Sequence, residues 1–138
     1  MATGSDEGAG TRSTERFVRL VAVGVGLVFV GTGVWAFVAP RSFFENAAAF
    51  EPYNAHFIRD IGAFQLGLGA VLLLGTWVRD ALFAALAGVA IGAVAHVAAH
   101  VVDLQAGGQP AVDIPVFALV AGLLVAAAIV RARSKVGA

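Results

Sequence analysis

The residues able to do chemistry in this chain are few and regularly spaced. His96 and His100 stand one helical turn apart with Val-Ala-Ala between them, and Asp103 follows. At about 100° per residue the three fall within roughly 60° of one another on one helix face. His56 and Asp60 repeat the one-turn spacing, with Arg59 beside them and Gln65 further along the same stretch. Imidazole nitrogens and carboxylate oxygens form a donor set suited to zinc, and less specifically to iron or manganese. Asp60, His96, His100 and Asp103 are therefore the candidate metal ligands. The H-x-x-x-H spacing lacks the glutamate of a zincin H-E-x-x-H. A b-type haem would need opposed histidines at one depth, His56 against His96 or His100. The same groups could also line a half-channel for protons or ions. The plainest reading needs no chemistry: Asp60 accepts from His100 or Arg59, His56 pairs with Asp103, and the network fixes helix register. Ser42 and Ser134 are remote from all of these, so a Ser/His/Asp arrangement is not supported. The chain has no cysteine, which removes disulfides, Fe–S clusters and thiolate nucleophiles together.

The elements that must position these groups are apolar. Of 138 residues 59% are hydrophobic and 13% charged, and the mean hydropathy is +0.87. Soluble domains are about half apolar and a quarter charged, so the solvent of this chain is lipid. The nine basic and nine acidic residues cancel, leaving no excess of positive charge to hold a nucleic-acid backbone. A spanning helix needs roughly 20 predominantly apolar residues, and four such runs are present: residues 17–39, 57–78, 81–102 and 114–130. The expected fold is an all-α, up-down four-helix transmembrane bundle. Residues 1–16 are polar and Gly/Ser/Thr-rich and read as a disordered tail, and residues 131–138 as a short basic tail. The first run is too long for a signal-peptide core of about 7–15 residues. Four spans put both termini on one side, and Arg12, Arg16, Arg19, Arg79, Arg131, Arg133 and Lys135 fall there, with Arg41 and Arg59 opposite. The positive-inside rule makes that side cytoplasmic, in an inner or plasma membrane. Trp35 and Trp77 then mark opposite interfaces.

In the first outer loop, Ser42-Phe-Phe-Glu45 has a capping-box pattern ahead of a short interfacial helix, with Phe43, Phe44 and Phe50 toward lipid or bundle. In the second, Gly107-Gly108 ends the third helix, and Asp113 caps the fourth with Pro115 in its first turn. Asn54 is a cap for the second. Helices in lipid associate through small residues, and Gly24-x-Gly26, Gly31-x-Gly33, Gly62, Gly67, Gly69 and Gly88-x-x-x-Gly92 supply them. Gly24, Gly31, Gly62, Gly67, Gly88 and Gly92 are the expected packing positions. The second and third spans are joined only by Arg79-Asp80, which makes them antiparallel neighbours. That sets Asp60 at the level of His100, His56 at that of Asp103, and Gln65 near His96. His56, Arg59, Asp60, Gln65, His96, His100 and Asp103 then form one cluster at the outer end of the bundle.

The segment Arg59-Asp60-Ile61-Gly62-Ala63-Phe64-Gln65-Leu66-Gly67-Leu68-Gly69, followed by His96 to Asp103, resembles a bacterial family of small four-helix membrane proteins of unknown function, loosely related to the DoxX-like group. The likeness covers residues 17–130. It implies an accessory role near quinone-linked respiratory components, and matches no catalytic residue. The sequence thus yields two functional expectations. One is a non-enzymatic membrane component, surrounded by lipid and associating as a homo-oligomer or with a partner membrane subunit. The other is a redox protein that uses the polar cluster with a divalent metal, quinone or haem.

Overall fold

The computed structural model describes residues 4–78 and 81–136, and its regular elements over them are all helices. Its elements are α1 (Gly4–Val38), α2 (Pro40–Ala47), α3 (Ala55–Gly75), α4 (Ala81–Val102) and α5 (Pro110–Val136). Four of these, all but the short α2, are long and apolar enough to cross a membrane. Only 22–28% of the most apolar window of each is buried inside the chain. The remaining apolar surface, including Leu20, Phe64 and Ile91, needs a lipid solvent. The chain is a multi-pass membrane protein.

The element ends reflect local chemistry more than hydropathy. α1 begins at Gly4, upstream of the expected start at Phe17, so residues 4–16 are helical rather than a disordered tail. Once an apolar span has nucleated a helix, each further residue adds a hydrogen bond cheaply, and the Glu15–Arg19 pair at 3.2 Å supports this stretch. Residues 1–3 and the Arg79-Asp80 loop lie outside the described residues. α3 starts where Asn54 caps it, its Oδ1 accepting from the N–H groups of His56 (3.0 Å) and Phe57 (3.2 Å). α5 starts at Pro110, with Pro in a first-turn position that needs no N–H donor. Asp113 lies inside that turn and its Oδ2 accepts from Gln109 N at 2.7 Å, so it caps from within rather than preceding the helix. At the far end α5 runs through Val136, past the expected boundary at Val130 into the basic segment.

The capping box at Ser42 is not formed. Pro40 opens α2 directly after Ala39, which gives no side-chain cap. Ser42 Oγ instead accepts from Trp35 Nε1 at 3.2 Å, and Glu45 pairs with Arg41 at 2.6 Å. That hydrogen bond and the Glu45 charge raise the Arg41 pKa above its ordinary value. Phe43 and Phe44 turn inward, packing edge-on against Trp35 and Tyr53, and with Ala36 and Ile58 they make a small core.

α1 and α3 run antiparallel with their backbones in contact. A methyl group at Gly69 would lie 2.7 Å from Gly26 O and 2.9 Å from Val30 N; at Gly62 it would lie 2.8 Å from Gly33 O and from Phe37 N. Gly26 and Gly33 are equally confined from the other side. The packing glycines are thus Gly26, Gly33, Gly62 and Gly69. Of the positions expected from the sequence, only Gly62 is among them. Gly24, Gly31, Gly67, Gly88 and Gly92 have open space where a side chain would be. α4 pairs chiefly with α5. All four long helices meet in a core of Val18, Ala22, Leu72, Leu86, Leu124 and neighbouring residues. That core occupies the half of the molecule containing the α1 N-terminal part and the α3–α4 connection.

Gly62→Ala and Gly69→Ala should each lower the stability of the solubilised protein by about 1–3 kcal/mol, because the added methyl forces the helices apart. Gly24→Ala and Gly31→Ala should leave it unchanged or raise it by about 0.5–1 kcal/mol through helix propensity. Equilibrium unfolding in mixed micelles distinguishes the two pairs, and equal effects would contradict the seam.

Candidate functional site

The seven polar residues expected in one cluster divide between two places. His56 and Asp60 sit on the exposed side of α3, with Nε2 and Oδ2 3.5 Å apart and their side chains 87% and 51% exposed. Asp60 pairs with His56 on its own helix, and neither with His100 nor with Arg59, which is also exposed. Asp103 is exposed beyond the end of α4 and does not pair with His56. Gln65 is half-buried, and its Oε1 is buried with no hydrogen-bond partner among the described residues.

The separation has a physical cause. A short connection holds α3 and α4 together only near itself, where a methyl at Gly75 would touch Ala85 Cβ at 2.9 Å. Away from it, α3 is drawn onto α1 by the glycine contact and α4 onto α5. Gly67 on the His56–Asp60 stripe and Gly92 below His96 both face open space, so the two polar faces do not oppose each other. Among the described residues no three His, Asp or Glu side chains are gathered as a metal site. The candidate quartet Asp60, His96, His100 and Asp103 is thus not assembled.

The structure builds a different arrangement around the paired histidines. The rings of His96 and His100 meet edge-on, with centroids 4.7 Å apart. Phe117 of α5 lies against both, 4.6 Å from His96 and 4.8 Å from His100. Phe50, from the loop after α2, closes on His100 edge-on at 5.9 Å. Such edge contacts place the positive ring edge on a neighbouring π-face and are each favourable by about 0.5–1.5 kcal/mol beyond area burial. Neither imidazole makes a hydrogen bond or ion pair among the described residues. Aromatic packing holds the pair in place.

Two glycines let Phe50 reach this position. Gly107 (φ +138°) and Gly108 (φ +72°) adopt backbone conformations that side chains disfavour. They lie in the loop beyond α4, which ends at Val102, rather than at its cap. Gly108 N donates to Ala49 O at 3.1 Å, tying the two loops together. A methyl at Gly107 would lie 2.7 Å from Ala49 O, and one at Gly108 2.9 Å from both the Phe50 ring and Asp113 Oδ2. Phe50 was legible as a residue facing lipid or bundle, but Phe117 carries no sequence signal, being one apolar residue in an apolar span. The Gly-Gly pair could have been read as a close loop contact, since two successive glycines allow positive φ and close approach together.

No family model matches the chain, and neither a curated protein nor a solved structure matches it.

Gly107→Ala should cost about 1–3 kcal/mol, the strain of a left-handed conformation together with the clash on Ala49. Phe50→Ala should speed amide hydrogen exchange at both joined loops, residues 49–53 and 107–109, while exchange along the α1–α3 contact stays unchanged. Faster exchange in only one loop would show that they are not coupled.

Proposed function

We propose that this chain is a non-catalytic integral membrane component: an up-down bundle with both termini in the cytoplasm and its two connecting loops joined on the outer face. The observation that carries this reading is the packing of His96 and His100. Phe117 and Phe50 occupy the ring faces and edges of the two imidazoles, and among the described residues no group of three or more His, Asp or Glu side chains is gathered there as a donor set. Histidine here works as an amphipathic aromatic that locks the outer loop onto α4 and α5. The orientation is supported by the gathering of Arg12, Arg16, Arg19, Arg131 and Arg133 at one end of the spans, with Arg41 and Arg59 at the other.

A second reading, the metal- or quinone-linked redox role that a DoxX-like resemblance implies, is favoured by one observation. The nitrogens of both imidazoles make no hydrogen bonds among the described residues, and so keep their capacity for a ligand.

Elemental analysis and a visible spectrum of the mildly solubilised protein separate the two readings. His96→Phe/His100→Phe should retain the fold with the same metal content and spectrum as the parent. A near-stoichiometric metal or a haem band that is lost in the double variant would replace the structural reading with the redox one. Fusing a reporter that is active only in the cytoplasm to either terminus should give activity at both. Activity at neither would reverse the orientation.

A further inference from the structure

Where α1 enters the bundle, α3 ends and α5 finishes, a cleft of about 410 Å³ opens between the helix ends. Its polar lining is Glu15, Arg19, Thr76 and Arg131, with Trp77 at its edge. The two arginines are in different states. Arg19 grips Glu15 Oε1 at 3.2 Å through two nitrogens and donates to Thr76 O at 2.9 Å. Glu15 is thereby matched within the cleft. Arg131 Nε is buried and has no hydrogen-bond partner among the described residues. A desolvated guanidinium N–H without an acceptor is unfavourable, and the donor geometry of the group fits an oxyanion.

A second groove adjoins the first. It has a volume of about 360 Å³, shares Gly75 and Val78 with the cleft, and is lined by Val71, Leu74 and Ala84 of α3 and α4. A polar cleft that shares part of its wall with an apolar groove has the division of a phospholipid, headgroup at the span ends and acyl chain along the helices. Trp77, 87% exposed, stands at the level where indoles prefer the membrane interface. Arg12, Arg16 and Arg133, all exposed near the same end, add attraction for an anionic surface.

We propose that this cleft binds the phosphate of an anionic phospholipid on Arg131, with one acyl chain in the groove between α3 and α4. The phosphate oxygens accept from the Arg131 guanidinium, and Arg19, held by Glu15 and Thr76, lines the same cleft. The proposal rests on membrane residence but not on orientation or on the role of the histidines. A protein that inserts into bilayers without lipid preference therefore fails this proposal alone.

The test uses the full chain carrying Trp35→Phe, which leaves Trp77 as the sole indole of the two present. It is placed in phosphatidylcholine nanodiscs doped with brominated phosphatidylglycerol or brominated phosphatidylcholine. Trp77 should be quenched at about a five- to tenfold lower fraction of the anionic lipid than of the zwitterionic one. Arg131→Gln should remove most of that preference while leaving quenching by phosphatidylcholine unchanged, which reports an intact bundle. Arg133→Gln deletes the same charge outside the cleft and should keep the preference. Equal quenching by the two lipids, or equal losses in the two arginine variants, would overturn the site in favour of diffuse attraction. Abolition of the preference by millimolar inorganic phosphate, but not by sodium chloride of the same ionic strength, would overturn the lipid assignment in favour of a soluble anion.

Discussion

The backbones of α1 and α3 come within contact at Gly26, Gly33, Gly62 and Gly69, and the rest of the molecule is arranged around that approach. In lipid, helices gain nothing by burying leucine against leucine, because the tails are equally apolar. What remains is dispersion, which falls steeply with distance, so two helices that can touch backbone to backbone outcompete pairs held apart by side chains. The glycines recur a heptad apart on each helix, so the contact stays in phase over two turns instead of drifting off the seam. Once α3 is committed to α1, its opposite face is left outward. That face carries His56, Asp60 and Gly67.

This commitment explains why the ionisable residues do not converge. Four helices share a core only in one half of the molecule. In the other half α1 and α3 are filled in by α2, whose Phe43 and Phe44 pack with Ala36 and Ile58, while α4 and α5 are filled in by Phe117 and the two histidines. The loop contact between Gly108 and Ala49 then bridges the two helix pairs. The ionisable pairs find local solutions. His56 and Asp60 pair within a turn near the start of a span, where exposure to the interface is cheapest. His96 and His100 satisfy their aromatic character by edge and tilted ring contacts. Gln65 Oε1 does neither, and no part of the packing accounts for it.

The spans were legible because length and hydropathy are properties of single segments. α4 covers the stretch that hydropathy marks, and Asn54 caps α3 because an Asx side chain ahead of an apolar run has few other uses. Helix ends beyond the apolar stretches were less legible. Residues 4–16 and 131–136 extend the helices of the adjoining apolar spans, and composition does not register the cheapness of propagation. Ser42 and Glu45 matched a capping pattern, yet Pro40 already begins that helix. The glycine phase was a choice between two faces of each G-x-G, and nothing in one helix tells which face its partner takes. The polar cluster failed for a related reason. Placing Asp60 opposite His100 extended the logic of a short connection far beyond the few residues it constrains.

One residue that looked like an interruption belongs to the same register. Arg19 breaks the hydropathy of the first span, a position where a charge is normally costly. It lies a heptad before Gly26, as Thr76 lies a heptad after Gly69, and its guanidinium donates to Thr76 O at 2.9 Å. The last carbonyls of α3 have no intrahelical donors and carry the negative end of the helix dipole. A cation delivered by the neighbouring helix satisfies one of them and complements that dipole. The antiparallel contact that brings Gly33 to Gly62 and Gly26 to Gly69 therefore brings Arg19 to the terminus of α3. A shift of α1 by a single turn would set side chains into the glycine seam and withdraw the guanidinium from the carbonyl. Close packing and electrostatics select the same register from opposite ends of the span, which is why a charged residue is tolerated there.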